Sequence, residues 1–362
     1  MGQRMPVRPL TALAALAAAG SLLLTGCGGA GAEGPAPVAA DAPLPTDVPP
    51  GTRLVVADQS ESLQTVLRAS GELDDLPFEV EFANFTGGPA ILEAFRAGAA
   101  DVAPVGDTPP IQALVAGEDV PIVLARQVDP RSTRLAVAPG AGVDGLDDLR
   151  GKRLAYAPGT AQQAIVLRAL EAAGLTTGDV ELVELQLADF PDAVRTGQVD
   201  VAPLLEPSVT RFLEAVGDEG GSVLPAEDTA ALSTGLTFVY ARRAVLQDEA
   251  RAAAVRALVE RTVRAYAWVN EHPEEWVQEY YVESQGLSAE DGRRIVASQG
   301  EVVFPALDEA LVARQQATID LIDAAGELPR PVRAADGFDL RFGPVVARSA
   351  RAAGARVVTA GR

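Results

Sequence analysis

A ten-residue pattern occurs twice in this chain, and it restricts the fold more than any other feature. The first copy is FRAGAADVAP at 95–104 and the second is VRTGQVDVAP at 194–203, with Arg, Gly and Asp-Val-Ala-Pro in the same register. Each copy predicts the end of a helix, a glycine that stops the helix in a left-handed turn, and a short buried strand. The repeat therefore predicts two similar α/β lobes that face one cleft.

The loops that follow the two copies differ. The first copy continues into GDTPP, whereas the second continues into LLEPS. In open α/β sheets, ligands bind beyond the carboxyl ends of the strands, which is where these loops lie. We therefore expect the two loops to form walls of the cleft and to determine its specificity.

The first 27 residues have the pattern of a secretory signal. Arg4 and Arg8 provide the positive charge, and Leu10–Leu24 is apolar but short for a membrane span. Leu-Thr-Gly-Cys then resembles a bacterial lipobox, which implies acylation of Cys27; the alternative is an ordinary signal with an incidental cysteine. Because Cys27 is the only cysteine, the mature chain has no disulfide and no thiol nucleophile.

The residues after the cysteine predict a tether to a membrane. Residues 28–50 are rich in Gly, Ala and Pro and lack an apolar period. The predicted location is extracytoplasmic, lipid-anchored to the outer face of the cell membrane on its periplasmic side. No later segment has about 18 consecutive apolar residues, so the lipid is the only predicted membrane contact.

Composition excludes several classes of function. The formal net charge is -20 and Lys152 is the only lysine, which argues against nucleic acid as a partner. His272 is the only histidine, so we expect neither a metal site nor a cofactor. No nucleophile and base are recognisable as a pair, and an enzyme is therefore not expected.

Strand and helix patterns alternate along the mature chain and predict two doubly wound α/β lobes joined by hinge strands. The hinge strands are predicted near Leu135–Ala138 and Leu236–Ala241. The predicted segments are the signal peptide at 1–27, the tether at 28–50, the first part of lobe 1 at 51–136, lobe 2 at 137–238, the return to lobe 1 with C-terminal helices at 239–330, and a C-terminal tail at 331–362.

Three helix starts follow strands and predict an anion site. Gly88-Pro89, Thr108-Pro109 and Thr160 each place an N-cap residue or a proline after a strand. First-turn N–H groups and the helix dipole together favour bound anions. Each start taken singly is more often purely structural, and the hypothesis depends on their recurrence. Glycines beside these starts, namely Gly87, Gly88, Gly106 and Gly159, would let a ligand approach the backbone.

Three segments resemble the periplasmic binding proteins of ABC importers for aliphatic sulfonates, taurine and nitrate. They are FTGGPAILEAFRAGAADVAPVGDTPPIQALVAG, LDDLRGKRLAYAPGTAQQAIVLRALEAAGL and VDVAPLLEP. The resemblance implies a type II periplasmic-binding-protein-like fold and a monomeric receptor that delivers a ligand to an ABC permease and its ATPase. Thr160 to Gln163 and LLEP depart from the usual motifs of the family, so the ligand can differ from a plain alkanesulfonate.

The resemblance also implies the ligand contacts. They are Gln59, Ser60, Glu61, Thr86, Gly87, Gly88, Gly106, Asp107, Thr108, Gly159, Thr160, Ala161, Gln162, Gln163 and Glu206. The hydroxyls of Thr108 and Thr160 would bind anionic oxygens. Asp107 and Glu206 either cap helices or face a ligand cation such as the ammonium of taurine. Arg126, Arg131 and Arg134 are possible charge partners, although exposed arginines are the default interpretation.

Two hypotheses from different classes remain at this stage. The first is a receptor for a small organosulfonate, either an alkanesulfonate or a taurine-like zwitterion, with nitrate, another small anion or a pyrimidine as alternative ligands. The second is an enzyme on the same two-lobed fold, since fold does not determine function. A ligand-binding sensor subunit is a rarer third possibility.

Overall fold

The structure is a computed structural model that describes residues 37–359. The predicted signal peptide, Cys27 and the first part of the predicted tether lie outside the described residues. The strands are β1 Arg53–Asp58, β2 Glu79–Asn84, β3 Val102–Val105, β4 Ile122–Gln127, β5 Thr133–Val137, β6 Arg153–Tyr156, β7 Glu181–Glu184, β8 Val201–Leu205, β9 Ser222–Val223, β10 Leu236–Ala241, β11 Phe304–Pro305 and β12 Val357–Val358.

The helices surround these strands, and a π-helical segment at Val277–Ser284 continues one of them. They are α1 Ser62–Ala69, α2 Gly88–Arg96, α3 Pro109–Ala116, α4 Ala161–Ala172, α5 Phe190–Arg195, α6 Ser208–Val216, α7 Ala226–Thr229, α8 Arg243–Gln247, α9 Glu249–Glu271, α10 Pro273–Trp276, α11 Ala289–Gln299, α12 Glu309–Ala324 and α13 Gly343–Ala352.

Two five-stranded sheets form the cores of the two lobes. The sheet of lobe 1 has the order β2-β1-β3-β10-β4, and that of lobe 2 has the order β7-β6-β8-β5-β9. In each sheet one strand runs antiparallel to the other four: β10 pairs antiparallel with β3 and β4, and β5 pairs antiparallel with β8 and β9. The predicted class of two doubly wound α/β lobes is confirmed.

The duplicated pattern adopts the same structure in both lobes. Helices α2 and α5 end at the repeated arginines, Gly98 and Gly197 have φ values of 68° and 71°, and β3 and β8 follow. The repeated aspartates have matching partners, because Asp101 accepts the N–H of Val55 on β1 at 2.9 Å and Asp200 accepts the N–H of Arg153 on β6 at 2.8 Å. Each aspartate thus joins the two central parallel strands of its sheet.

The chain crosses between the lobes twice. Residues 128–132 join β4 of the first sheet to β5 of the second, and residues 230–235 lead back to β10. The predicted hinge strands are therefore the two antiparallel strands that follow these crossings. The crossings themselves lie just before the strands.

The ends of the described chain pack more extensively than their composition indicates. The region assigned to a C-terminal tail contains α13, whose Val345, Val346 and Ala350 are buried on one face, and β12, which pairs with β11. The guanidinium of Arg341 donates to the carbonyl oxygens of Ala39 and Ala42 at 3.0 and 3.1 Å, within the segment assigned to the tether. Among residues 37–359, no helix is both long and apolar enough to cross a membrane.

Candidate functional site

A cavity of about 270 Å³ lies between the lobes, beyond the carboxyl ends of the parallel strands. Loops after β1, β2 and β3 and the end of β4 line it from lobe 1, the start of α4 lines it from lobe 2, and the second crossing lines it at one side. We call it the central cavity. Its wall is formed by Asp58, Gln59, Ser62, Gly87, Gly88, Pro104, Val105, Gly106, Asp107, Pro109, Arg126, Val128, Ser132, Thr133, Thr160, Ala161, Gln162, Ile165, Arg168, Leu187, Leu205, Ser233, Thr234, Gly235, Leu236, Thr237 and Tyr266.

Most of the contacts predicted from the sequence lie on this wall or beside it. Those on the central cavity are Gln59, Gly87, Gly88, Gly106, Asp107, Thr160, Ala161 and Gln162. An adjoining outer cavity of about 460 Å³ is lined by Ser60, Thr86 and Glu206. The structure does not place Glu61, Thr108, Gly159 or Gln163 on either wall.

Three of these four residues have other roles in the structure. The Thr108 side chain is fully buried, and its hydroxyl donates to Asp107 at 3.2 Å. The Gln163 amide donates to the Tyr156 hydroxyl at 3.0 Å and accepts the N–H of Gly159 at 2.8 Å. Gln163 therefore fixes the shape of the loop that begins α4, and its direct contact with a ligand stays a prediction.

The glycines of the cleft lie where the two lobes come close to each other. A Cβ on Gly106 of lobe 1 would lie 2.7 Å from the Cβ of Ala161 in lobe 2. A Cβ on Gly88 would lie 3.3 Å from the Gly159 carbonyl oxygen across the cleft and 2.4 Å from Pro109 within its own lobe. These glycines line the cavity as predicted, but they also permit close approach of one lobe to the other.

The prediction of three anion-binding helix starts is wrong for α3. Pro109 and Pro110 have no N–H group. The N–H groups of Ile111 and Gln112 both donate to the Thr108 carbonyl oxygen, at 2.9 and 3.2 Å. The first turn of α3 therefore offers no donor to the cavity, which the two consecutive prolines in the sequence already indicate.

The start of α4 does offer donors. Its N-cap residue Thr160 makes no side-chain cap, because its hydroxyl donates to the Ala157 carbonyl oxygen at 2.7 Å. Within the described residues, the N–H groups of Ala161 and Gln162 have no hydrogen-bond partner, and both residues line the central cavity. Free first-turn N–H groups and the helix dipole favour an anion at this position.

Asp107 forms an ion pair between the lobes. Its carboxylate lies 3.2 Å from Nη2 of Arg168 on α4 and accepts the Thr234 hydroxyl at 2.9 Å. Arg168 also donates to the hydroxyl of Thr318 on α12 at 2.8 Å. The alternatives from the sequence were a helix cap and a partner for a ligand cation, whereas Asp107 instead pairs with a guanidinium of the other lobe.

Arg126 is the guanidinium best placed to bind an anion. It follows the buried part of β4, lies 4.3 Å from the centre of the Tyr266 ring and lines the central cavity. In the described part of the chain it has no acidic partner, whereas Arg131 pairs with Asp129 at the surface. Arg134 is half-buried, and its Nη1 has no partner among residues 37–359, but it is not on the cavity wall. Among these three arginines, the structure brings only Arg126 to the site.

Asp58 contributes a carboxylate to the wall but is already bound by the backbone. It accepts the N–H groups of Gln59, Leu63 and Gln64 at 2.7 to 3.1 Å and so caps α1. Burial raises the pKa of this carboxyl above its ordinary value, while the three N–H groups act to lower it. The start of α1 is therefore occupied by the protein's own anion.

Glu206 caps a helix, which is one of the two roles considered for it from the sequence, and its position on two cavities leaves contact with a ligand cation as a prediction. Its Oε2 accepts the N–H of Thr210 at 3.1 Å and the hydroxyl of Thr210 at 2.8 Å, which caps α6. It also lines the outer cavity and a third cavity of about 190 Å³ behind Arg126. Burial raises the pKa of the Glu206 carboxyl, while the Thr210 hydrogen bonds lower it.

Sequence reasoning missed the aromatic residues of the site. Tyr266 lines the central cavity, and Trp276, Tyr280 and Tyr281 line the third cavity. They lie on helices far along the chain from the repeated strands. The sequence contains no local signal that connects them to those strands.

Comparison with known proteins agrees with the architecture. A family model described as "NMT1/THI5 like" matches residues 78–276. A relative from Escherichia coli strain K12, named "Putative aliphatic sulfonates-binding protein", is 30% identical over 192 residues, which are 52% of this chain and 59% of the relative. The match thus spans less than two thirds of that relative's length.

Two further matches extend over more of the chain. A Bacillus subtilis strain 168 relative with the same name is 25% identical over 88% of this chain and 92% of its own length. The structure of the alkanesulfonate-binding protein SsuA from Xanthomonas axonopodis pv. citri, bound to MOPS, superposes with a TM-score of 0.71 and 24% identity, covering 81% of this chain and 99% of that one. At this level of identity the structural match shows a shared fold.

Proposed function

Because the chain belongs to the NMT1/THI5-like family, we propose that it is the solute-binding protein of an ABC importer and binds a small organosulfonate in the central cavity. Both sequence relatives are named for sulfonate binding. In this proposal the protein carries out no chemistry. It closes on the ligand and delivers it, as a monomer, to a permease and its ATPase.

The observation that carries the proposal is that Arg126 and the start of α4 line the same cavity from opposite lobes. Arg126 supplies a guanidinium without an acidic partner among the described residues, and Ala161 and Gln162 supply free N–H groups. A sulfonate has three oxygens that accept hydrogen bonds, so donors from both lobes can bind it at once. The bound anion would then hold the lobes together.

The volume of the central cavity favours an organosulfonate over a small ion such as nitrate. A volume of about 270 Å³ is several times the roughly 30 Å³ that one water molecule occupies in the liquid. A small inorganic ion would leave most of this space to water. Nitrate, another small anion and a pyrimidine are the alternative ligands, and a ligand panel separates them.

The location in this proposal is extracytoplasmic. Cys27 would carry the lipid that anchors the protein to the outer face of the membrane, and residues 28–36 would begin the tether. Mass spectrometry of the protein purified from cells tests this part. An N-terminal acylated Cys27 is expected, and an intact N-terminal segment without lipid would contradict it.

Calorimetric titration tests the ligand class directly. Purified protein is titrated with ethanesulfonate, taurine, sulfate, nitrate and a pyrimidine, and we expect saturable binding of a sulfonate alone. If a ligand of another class binds and no sulfonate does, the proposed substrate is wrong but the receptor role stands. Release of sulfite or another product during incubation would contradict the receptor role.

A further inference from the structure

A groove between helices α4 and α12 adjoins the central cavity. Its volume is about 600 Å³, and we call it the α4/α12 groove because these two helices and the second crossing line it. Arg168 and Thr234 line both this groove and the central cavity. A molecule in the groove therefore lies directly behind residues that face the proposed solute site.

The two walls of the groove belong to different lobes. Helix α4 follows β6 of the second sheet, whereas α12 is fixed to lobe 1, because the amide of Gln315 donates to the Asp107 carbonyl oxygen at 2.6 Å. One contact across the groove joins the helices, in which Arg168 donates to the Thr318 hydroxyl at 2.8 Å. A ligand held by both walls would thus add a second connection between the lobes.

Arg314 brings to the groove a guanidinium that pairs with no acid in the described part of the chain. Its Nη1 donates to the side-chain oxygen of Gln127 at 3.2 Å, and its Nη2 donates to the Thr234 carbonyl oxygen at 2.7 Å. A guanidinium has five N–H groups, so three of them remain for a ligand. Burial lowers the pKa of Arg314; the carboxylate of Asp107 acts to raise it, and the charge of Arg168 lowers it further. A bound anion would stabilise this half-buried charge.

The acids near the groove do not neutralise Arg314. Asp107 already pairs with Arg168, so the buried side of the groove has two guanidinium groups for one carboxylate. Glu171 and Asp320 also line the groove, but both are exposed to water, where salt screens their charge. The inner part of the groove is therefore positive overall.

We infer that the α4/α12 groove is a second anion site, which binds a small oxyanion at Arg314 beside Arg168. The bound anion holds α4 against α12 and so favours the closed arrangement of the lobes. It thereby strengthens solute binding in the central cavity, and the solute strengthens anion binding by the same factor. The site is independent of the proposed function, and only this coupling rests on it.

The affinity of the site is expected to be modest because the groove is open to water. A dissociation constant of about 1 mM corresponds to a few charge-assisted hydrogen bonds in competition with solvent. Binding this weak does not saturate at the lower ligand concentrations that fill a closed cavity. The two sites are therefore distinguishable by concentration.

Inorganic phosphate tests the site on the full chain. The measurement is the Nε–H signals of the arginines in protein labelled with ¹⁵N-arginine, with chloride used to keep the ionic strength constant. The signal of Arg314 is identified by its loss in Arg314→Lys. We expect phosphate to shift the Arg314 signal saturably, with a midpoint of about 1 mM. An unshifted Arg314 signal, or a shift confined to Arg126, would overturn the site.

A substitution on the groove wall blocks the site and leaves the contacts of Arg314 in place. Ala317 is exposed and lines the groove, so Ala317→Glu adds a carboxylate that repels the anion, and the midpoint should rise about tenfold or more. The matched control is Ala352→Glu, because Ala352 is exposed at the end of α13 and is not on the groove wall. An unchanged midpoint in Ala317→Glu, or an equal rise in both variants, would also overturn the site.

The coupling is measured by titrating ethanesulfonate in the absence of phosphate and at saturating phosphate. We expect phosphate to tighten sulfonate binding about fivefold in the unmodified protein and in Ala352→Glu, but not in Ala317→Glu. Weaker sulfonate binding in all three proteins would mean that phosphate competes in the central cavity, which would overturn the coupling. If no sulfonate binds at all, the proposed function fails, while the Arg314 signal still decides whether the second site exists.

Discussion

At the scale of single residues, the proposed function assigns anion binding in the central cavity chiefly to Arg126. We expect Arg126→Gln to weaken sulfonate binding by roughly ten- to a hundredfold, because a hydrogen bond to a charged group contributes about 1.5 to 3 kcal/mol. Calorimetric titration measures the change. Arg131→Gln is the matched control, since Arg131 pairs with Asp129 at the surface. Equal loss in both variants would indicate a general effect of charge instead of a site at Arg126.

The ion pair of Asp107 and Arg168 is expected to stabilise the fold. Asp107 is 3% exposed and Arg168 is 14% exposed at the side chain, so Asp107→Asn leaves a largely buried guanidinium without its partner. We expect the free energy of unfolding to fall by about 3 kcal/mol, measured by urea denaturation. The control is Asp192→Asn, because the side chain of Asp192 is 80% exposed in its pair with Arg195, and a change below about 1 kcal/mol is expected there. Similar small changes in both variants would contradict a stabilising role for the buried pair.

Some of these residues could be predicted from the sequence, and others could not. Residues next to the repeated strands, such as Gly106 and Gln162, could be predicted because they follow strands that point into a cleft. The partner of Asp107 could not be predicted, since Arg168 lies 61 positions away and only the packing of α4 against lobe 1 brings it near. Tyr266 was missed for the same reason. Contacts that depend on tertiary packing leave no local pattern.

At the scale of elements, the repeated aspartates hold neighbouring strands together. Asp101 is buried, which acts to raise its pKa, but the N–H of Val55 and the guanidinium groups of Arg242 and Arg251 lower the pKa below its ordinary value of 3.8. Burial also acts to raise the pKa of Asp200, but the guanidinium and the N–H of Arg153 lower it below its ordinary value. Because both pKa values are lower in the folded state, the stability they contribute is complete at higher pH and is lost as the pH falls below about 3.8.

We expect the protein to lose stability steeply in acid, because protonation of Asp101 and Asp200 removes their interactions with the neighbouring strands and arginines. In Asp101→Asn/Asp200→Asn the protein should be less stable at neutral pH, and its unfolding midpoint should change less between neutral pH and acid than that of the unmodified protein. Thermal unfolding followed by circular dichroism across this pH range measures both quantities. An unchanged dependence on pH in the double variant would show that other carboxylates determine it.

The elements themselves could be predicted to within a few residues where their pattern is local. The strand Leu236–Ala241 has the predicted bounds, and the strand predicted near Leu135–Ala138 overlaps β5 at Thr133–Val137. The start of α3 was located but misread, because its two prolines remove the donors that a helix start normally has. Helix α13 was missed, since its buried face becomes apparent only when α9 is present to cover it.

At the scale of the whole molecule, the fit between the lobes depends on residues without side chains. A Cβ at Gly106 would lie 2.7 Å from the Cβ of Ala161, so Gly106→Ala is expected to keep the lobes apart and weaken ligand binding without unfolding the protein. Ala161→Gly in the same chain should restore binding, because it removes the opposing atom. Titration calorimetry and the radius of gyration from small-angle X-ray scattering measure the two effects.

The control for this pair is Gly145→Ala. Gly145 has an extended backbone with φ of -161°, and a Cβ there would meet no atom within 4 Å. Its ligand affinity and its radius of gyration should equal those of the unmodified protein. Failure of Ala161→Gly to restore binding would mean that Gly106 is needed for its contact with the ligand itself.

The two crossings between the lobes bear on how the proposed receptor can evolve. In the proposed receptor both crossings would bend together, so open and closed forms would be two populations linked by one motion, and if only the closed form binds, the apparent affinity would equal the intrinsic affinity multiplied by the closed fraction. Arg314 donates to the carbonyl oxygen of Thr234, within the second crossing, at 2.7 Å. In the proposed receptor, a substitution at Arg314 would change the closed fraction and so the ligand concentration at which uptake is half-maximal, with every proposed sulfonate contact left in place.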